Sequence, residues 1–261
     1  MAQLRPLCVG APHRPTYASG MPARPAAPAI AIDRAGRRRR ARKVVRVLGE
    51  AYPDASCELD FGSALELLVA TVLSAQCTDQ RVNSVTPALF AAYPDAAAYA
   101  AADRADLERL ITPTGFFRQK ARTLQAIGQR LCDHYGGAVP DRLEDLVTLT
   151  GVGRKTANVV LGDAFGVPGI TVDTHVARLA RRLGWSQETD PDRIESDLMD
   201  LFERRDWTIV SHRVIWHGRR CCHARRPACG ACPVARWCPA FGEGPTDPAE
   251  AARLLRTSGR G

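Results

Sequence analysis

Lysine is almost absent from this 261-residue chain: Lys43, Lys120 and Lys155 stand against 33 arginines. Arginine supplies plain positive charge here, so each retained lysine invites a reason. A guanidinium is effectively always protonated, whereas a lysine amine can lose its proton and become a nucleophile. Long apolar runs are missing as well. The nearest, Leu65 to Ala75, is interrupted by Glu66 and falls short of the roughly 18 to 20 residues a membrane span needs. No integral membrane protein is expected. The first residues lack the apolar stretch of a secretory signal and are broken by prolines from Pro6 to Pro28. A secreted disulfide framework for the nine cysteines is therefore not expected, and a metal site in a reducing compartment fits better. No period-2 alternation of apolar residues stands out, which leaves little room for a sheet.

The formal charge of +8 invites a nucleic-acid reading, but its placement qualifies that. Residues 1–43 hold ten Arg or Lys and one acid, Asp33, so the rest of the chain is close to neutral. Residues 1–36 are rich in Pro, Ala and Arg without periodicity, the composition of a disordered basic tail. Met21 offers an alternative start within it.

From Arg37 onward the chain reads as successive helices, and the expected class is all-α. Ser63-Ala-Leu-Glu66 has the form of a capping box and opens a run apolar nearly all round, hence a buried helix. Asp141-Arg-Leu-Glu144 repeats the signature. Ala157, Val160, Leu161 and Ala164 follow at helical spacing, as do Val176, Leu179, Ala180 and Leu183.

Between two of these segments lies Thr150-Gly-Val-Gly-Arg-Lys-Thr156, a turn short enough to demand a helical hairpin. Gly151 and Gly153 permit positive φ and close approach of a phosphate, and the next helix offers unpaired N–H groups at its positive end. Such a hairpin can grip a DNA backbone without reading bases; a glycine-rich connection with no ligand is the bland alternative. A Walker A loop is excluded because Arg154 precedes Lys155-Thr156 where glycine is required. A dinucleotide fingerprint is excluded for want of a third glycine and a preceding strand.

Four cysteines, Cys222, Cys229, Cys232 and Cys238, fall within 17 residues in the spacing C-x6-C-x2-C-x5-C. That density indicates a metal site, while the spacing alone leaves the metal open.

The segment Leu149 to Asn158, followed by Val172-Asp-Thr-His175, resembles the helix-hairpin-helix and catalytic region of the endonuclease III family. The likeness extends through Leu73-Ser-Ala-Gln-Cys-Thr-Asp79, Gly115-Phe-Phe-Arg-Gln-Lys-Ala121 and the C-terminal cysteines. It implies a six-helix barrel over 56–167, with the hairpin at 142–165. A discontinuous iron–sulfur domain would be built from 37–55 and 168–240, and a tail would follow from 241. DNA would lie in the groove between the two domains.

The resemblance further implies a bifunctional DNA glycosylase and abasic-site lyase removing oxidised pyrimidines such as thymine glycol. Lys155 would attack the sugar C1′ and Asp173 would assist departure of the base. Attack requires the amine rather than the ammonium, a direction favoured by Arg154 beside it and by the helix end. Asp173 also stands where a helix should start, so a cap is its structural role. His175 reads as a structural histidine. Excision requires the nucleotide to be flipped out and the hole filled, and Gln76 and Phe116 occupy the family's filling positions. Phe116 is the weaker match, since leucine is frequent there.

Arg118, Lys120, Arg225 and Arg226 are expected to join Gly151, Gly153 and Arg154 in contacting DNA phosphates. A [4Fe–4S] cluster on Cys222, Cys229, Cys232 and Cys238 is the implied cofactor, with Cys221 left out by the family spacing. Duplex DNA carrying damaged pyrimidines or abasic sites is the implied partner. A monomer working at the bacterial nucleoid in the cytoplasm, with no membrane contact, completes the expectation. Two rivals remain. One is the adenine-glycosylase branch of the superfamily, which typically lacks the lysine and carries a further domain. The other is an iron–sulfur module that binds DNA without catalysis.

Overall fold

The computed structural model describes residues 33–256, and among these there are twelve α-helices and no strand. Most of the basic N-terminal segment, residues 1–32, lies outside the described residues. The first helix, α1 (Arg34–Ala51), starts three residues before the expected boundary because Asp33 caps it, accepting from the Gly36 amide at 2.6 Å. Next come α2 (Ala64–Leu73), α3 (Asp79–Ala92), α4 (Ala96–Ala100), α5 (Arg104–Ile111) and α6 (Phe117–Tyr135). The chain continues through α7 (Leu143–Leu146), α8 (Arg154–Ala164), α9 (Thr174–Arg182), α10 (Pro191–Leu201), α11 (Trp207–Arg220) and α12 (Pro248–Ala252).

The capping boxes are realised only in part. Ser63 accepts from the Glu66 amide at 3.2 Å, but the Glu66 carboxylate takes the amide of Gly62 rather than that of Ser63. At the second site the cap position is Arg142, not Asp141, and no side chain fills it; Arg142 pairs instead with Glu144. The helix there is a single turn.

Two apolar cores organise the helices. One gathers Leu67, Leu68, Val82, Leu124, Ile127, Ala157 and Val160 from α2 through α8. The other gathers Val44 and Leu48 of α1 with Leu179, Trp185, Leu198 and Val214 from α9 to α11. The chain thus leaves the second core after α1, builds the first, and returns at Ile170. Within the first core α4 crosses α6 so closely that a Cβ at Gly128 would lie 2.6 Å from the Ala96 carbonyl oxygen. Only glycine fits there.

Polar ties join the two sets of helices. His212 of α11 meets Asp163 of α8 at 2.7 Å. The Trp216 indole donates to the Ser56 carbonyl at 3.1 Å, and Arg219 pairs with Glu58 and, at 2.6 Å, with Asp79. Residues 241–256, expected as a tail, fold back on the cysteine loop. The Gly230 amide donates to the Pro245 carbonyl and the Arg256 amide to the Arg220 carbonyl, both at 2.9 Å, and Ala251 of α12 is fully buried.

Candidate active site and metal centre

A cleft of about 560 Å³, measured to its open mouth, lies between α8, α9, α11 and the segment before α2. Lys155 and Asp173 both line it. Lys155 is the second residue of α8, and among the described residues no hydrogen bond or ion pair holds its exposed amine. Asp173 caps α9: one carboxylate oxygen accepts from the Val176 amide at 2.8 Å, and its other oxygen has no partner among the described residues. One oxygen therefore fixes the side chain while the other remains available to a substrate, so cap and catalytic group can coexist. A single helical element could not bring these two groups together. The hairpin presents the lysine and the return into the second core presents the acid.

The helix-hairpin-helix turn uses its two glycines differently. Gly151 has φ +76°, where a side chain would be strained, and a Cβ there would press on Thr123 at 2.8 Å. Gly153 has ordinary φ and open space around it; it is the cap residue of α8 and has no capping side chain. The first-turn amides of α8 are thus left unfilled, as suits a phosphate. Arg154 is bound by Glu195 of α10, a carboxylate 4% exposed, at 2.8 and 3.1 Å. Glu195 also accepts from the buried Asn158 amide at 3.1 Å. Its charge is thereby partly committed within the protein.

Lys120 departs from the sequence reading. It is 5% exposed, and its ammonium donates to the carbonyl oxygens of Leu73 at 2.7 Å and Thr114 at 2.8 Å. Burial lowers its pKa. A phosphate contact is replaced by an internal one, because the first turn of an amphipathic helix turned this side chain inward. Arg118 and Arg225 are exposed, while Arg226 is paired with Glu250. Gln76 and Phe116 are both exposed and stand in left-handed backbone, at φ +53° and +47°, the two non-glycine residues so placed among those described.

Three features of the cleft gave no sequence signal: the Asp163–His212 pair, the Glu58–Arg219–Asp79 cluster, and Cys57, whose thiol burial pushes up to about 12. The first two join residues far apart in the chain. His175 packs against Gly218 and meets Arg178 at 3.1 Å, with its pKa lowered mainly by burial. It holds α9 to α11, as expected of a structural histidine.

All four cysteines of the C-terminal cluster line one cavity. Burial raises the pKa of Cys222 and pushes Cys238 up to about 12, so bare thiolates are unfavourable there. A cationic cluster core would reverse that. Arg182 donates to the Cys222 sulfur at 3.3 Å and to the carbonyls of His223 and Ala224, closing one side of the loop. Cys221 is also buried at this cavity, and its sulfur lies within 4.8 Å of ligand atoms of His217 and Cys232. The donor set fits an iron–sulfur group, with Cys221 beside it rather than remote.

The chain matches two family models. The one described as HhH-GPD superfamily base excision DNA repair protein covers residues 69–204, and the one described as the iron-sulfur binding domain of endonuclease III covers residues 222–238. Endonuclease III of Synechocystis is 53% identical over 206 residues, which are 78% of this chain and 94% of that protein. Endonuclease III of Bacillus subtilis is 44% identical over 192 residues, 73% and 88% respectively. A solved structure of a trapped covalent endonuclease III–DNA intermediate superposes with a TM-score of 0.75 at 42% identity, covering 78% of this chain and 96% of that one. A thermostable thymine-DNA glycosylase, at 18% identity and a TM-score of 0.72, shares the fold.

Proposed function

Because this chain belongs to the endonuclease III family of base excision DNA repair proteins, we propose that it excises oxidised pyrimidines such as thymine glycol, with Lys155 as nucleophile and Asp173 as the charge-stabilising group. The observation that carries this reading is the shared cleft: an unpaired amine and a carboxylate with one uncommitted oxygen face the same space from two different helices.

Breaking the bond between C1′ and the base builds positive charge on the deoxyribose, and Asp173 stabilises it electrostatically. The Lys155 amine, having given up its proton, bonds to C1′. Ring opening turns that bond into an imine, which acidifies the C2′ proton. Its removal expels the 3′ phosphate as the C3′–O bond breaks. Gln76 and Phe116 occupy the space left by the flipped nucleotide. The open amides of α8, with Gly151 at the turn, take a DNA phosphate.

Cys222, Cys229, Cys232 and Cys238 would hold a [4Fe–4S] cluster, which would fix the loop around Arg225; glycosidic cleavage itself needs no electron. We divide the chain into an iron–sulfur unit around the second core and a barrel around the first. Relative to the sequence expectation, α1 begins at Arg34 and residues 241–256 join the iron–sulfur unit. No helix among the described residues is long and apolar enough to cross a membrane, and the protein acts as a monomer on cytoplasmic DNA. Lys155 speaks against the adenine-glycosylase branch, which typically lacks it.

Borohydride trapping tests the reading. The protein should form a covalent complex with duplexes carrying thymine glycol or an abasic site, but not with adenine opposite 8-oxoguanine. Lys155→Ala should abolish trapping. Undiminished trapping by that variant would remove Lys155 from the chemistry.

A further inference from the structure

Lys120 lies in the first turn of α6, and its two ammonium bonds end on chain segments 41 residues apart. Leu73 is the last residue of α2, three positions before Gln76. Thr114 closes a short 3-10 turn two positions before Phe116. The backbone amide of Lys120 also donates to the Phe116 carbonyl at 3.1 Å. One buried side chain therefore ties down the bases of both loops whose tips hold the left-handed residues. Left-handed backbone at non-glycine positions persists only where its surroundings over-determine it. Each loop also has bonds of its own, the Cys77 amide to the Ser74 carbonyl at 3.1 Å and the Gly115 amide to the Thr112 carbonyl at 3.2 Å, but these close single turns and do not tie one loop to the other. Phe116 has no capping side chain and is 66% exposed, and Gln76 is exposed.

We propose that Lys120 is a positioning residue for base extrusion, holding the Gln76 and Phe116 loops at a fixed separation so that both enter the DNA stack together. This rests on the hole-filling role given above to Gln76 and Phe116. A cationic donor suits the task because each carbonyl at the end of a helical turn lacks an intrahelical partner, and a charged donor to a carbonyl is stronger than a neutral one. An ammonium can serve two such oxygens at once.

The test uses full-length protein with its cluster, in the unaltered form and as Lys120→Met, Gln76→Ala/Phe116→Ala, and the triple variant. Two single-turnover reactions are read: excision of thymine glycol from a duplex, and cleavage at an abasic site in single-stranded DNA. The second uses Lys155 but leaves no hole to fill. Lys120→Met should slow duplex excision about 10- to 100-fold, the scale of an ångström-level misplacement. It should change single-strand cleavage less than about 2-fold. In the Gln76→Ala/Phe116→Ala background it should cost less than about 2-fold further, since residues acting as one unit are not additive.

Equal losses on both substrates, or a full additional loss in that background, would mean a merely structural lysine and overturn the proposal. If Gln76→Ala/Phe116→Ala leaves duplex excision intact, the hole-filling reading itself has failed and takes the proposal with it. If that variant is impaired but Lys120→Met is not, the proposal alone fails. Should Lys120→Met not fold, native-state hydrogen exchange of the unaltered protein decides. The amides of Cys77 and Gly115 must open with one common free energy, and independent openings overturn the proposal.

Discussion

Arg154 forks onto the buried carboxylate of Glu195, joining the first residue of α8 to α10 at 2.8 and 3.1 Å. Since Lys155 is the next residue, the ion pair fixes the helix end that presents the amine. Glu195 also holds the Asn158 side chain, which in turn donates to the Ile170 carbonyl at 2.8 Å.

Glu195→Ala should therefore destabilise the protein by about 1–3 kcal/mol, because it strands one buried N–H of Asn158 and releases the Arg154 guanidinium. The Arg154 share is discounted because its side chain is 42% exposed. Glu195→Gln, which keeps an acceptor but not the charge, should cost less. Denaturant unfolding checks both, and equal costs would show that the charge carries the whole interaction and a neutral acceptor none of it.

Asp173 separates stability from chemistry. Asn is as good an N-cap as Asp, so Asp173→Asn should keep the unfolding midpoint nearly unchanged. Without the negative charge, excision should fall about 100-fold or more. Asp173→Ala should lose the activity and also about 1 kcal/mol of stability. A destabilised Asp173→Asn variant would mean that the carboxylate charge, rather than the cap geometry, supports α9.

Helix periodicity carried the fold class, since Leu67, Leu68, Ala157 and Val160 bury as their spacing requires. Local motifs brought Lys155 and Asp173 forward because a hairpin and a helix start are written in adjacent residues. Lys120 was legible as unusual but not as buried: a charged residue on the first turn of α6 reads as a solvated one until the carbonyls of Leu73 and Thr114 are seen to surround it. Glu195, Asp163 and His212 carried no signal at all, because an ion pair spanning some 40 residues has no pattern in sequence. The expected cap at Asp141 failed because the helix starts one residue later, with Arg142 at the cap position and its side chain on Glu144.

His175 should give the stability a pH dependence. Burial, together with Arg178 and Arg219, outweighs the opposing pull of Asp173 and sets its pKa below the ordinary imidazole value near 6.5. The unfolded chain then binds the proton more readily than the folded one. This contribution to stability is complete above about pH 6.5 and is lost as pH falls through the lower folded value. Between about pH 8 and 5 the unaltered protein should lose more stability than His175→Gln. Parallel curves for the two proteins would show that His175 does not titrate differently on folding.

The basic residues should divide in their effect on the salt dependence of DNA binding. Each phosphate neutralised by a free side chain adds about 0.9 to the slope of log affinity against log salt. Arg118 and Arg225 are exposed, and among the described residues only Arg118 of the two has an acid near, Glu108 at 4.0 Å. Arg225→Ala should therefore lower the slope by close to that amount, and Arg118→Ala by slightly less. Arg226 already faces Glu250, so Arg226→Ala should change it little, while Glu250→Ala should raise it by releasing the guanidinium. Lys120→Met should leave the slope unaltered, because a buried ammonium bonded to two carbonyls releases no counterion. A reduced slope in Lys120→Met would place that amine on the DNA after all, and with it would fall the internal role the hydrogen bonds assign.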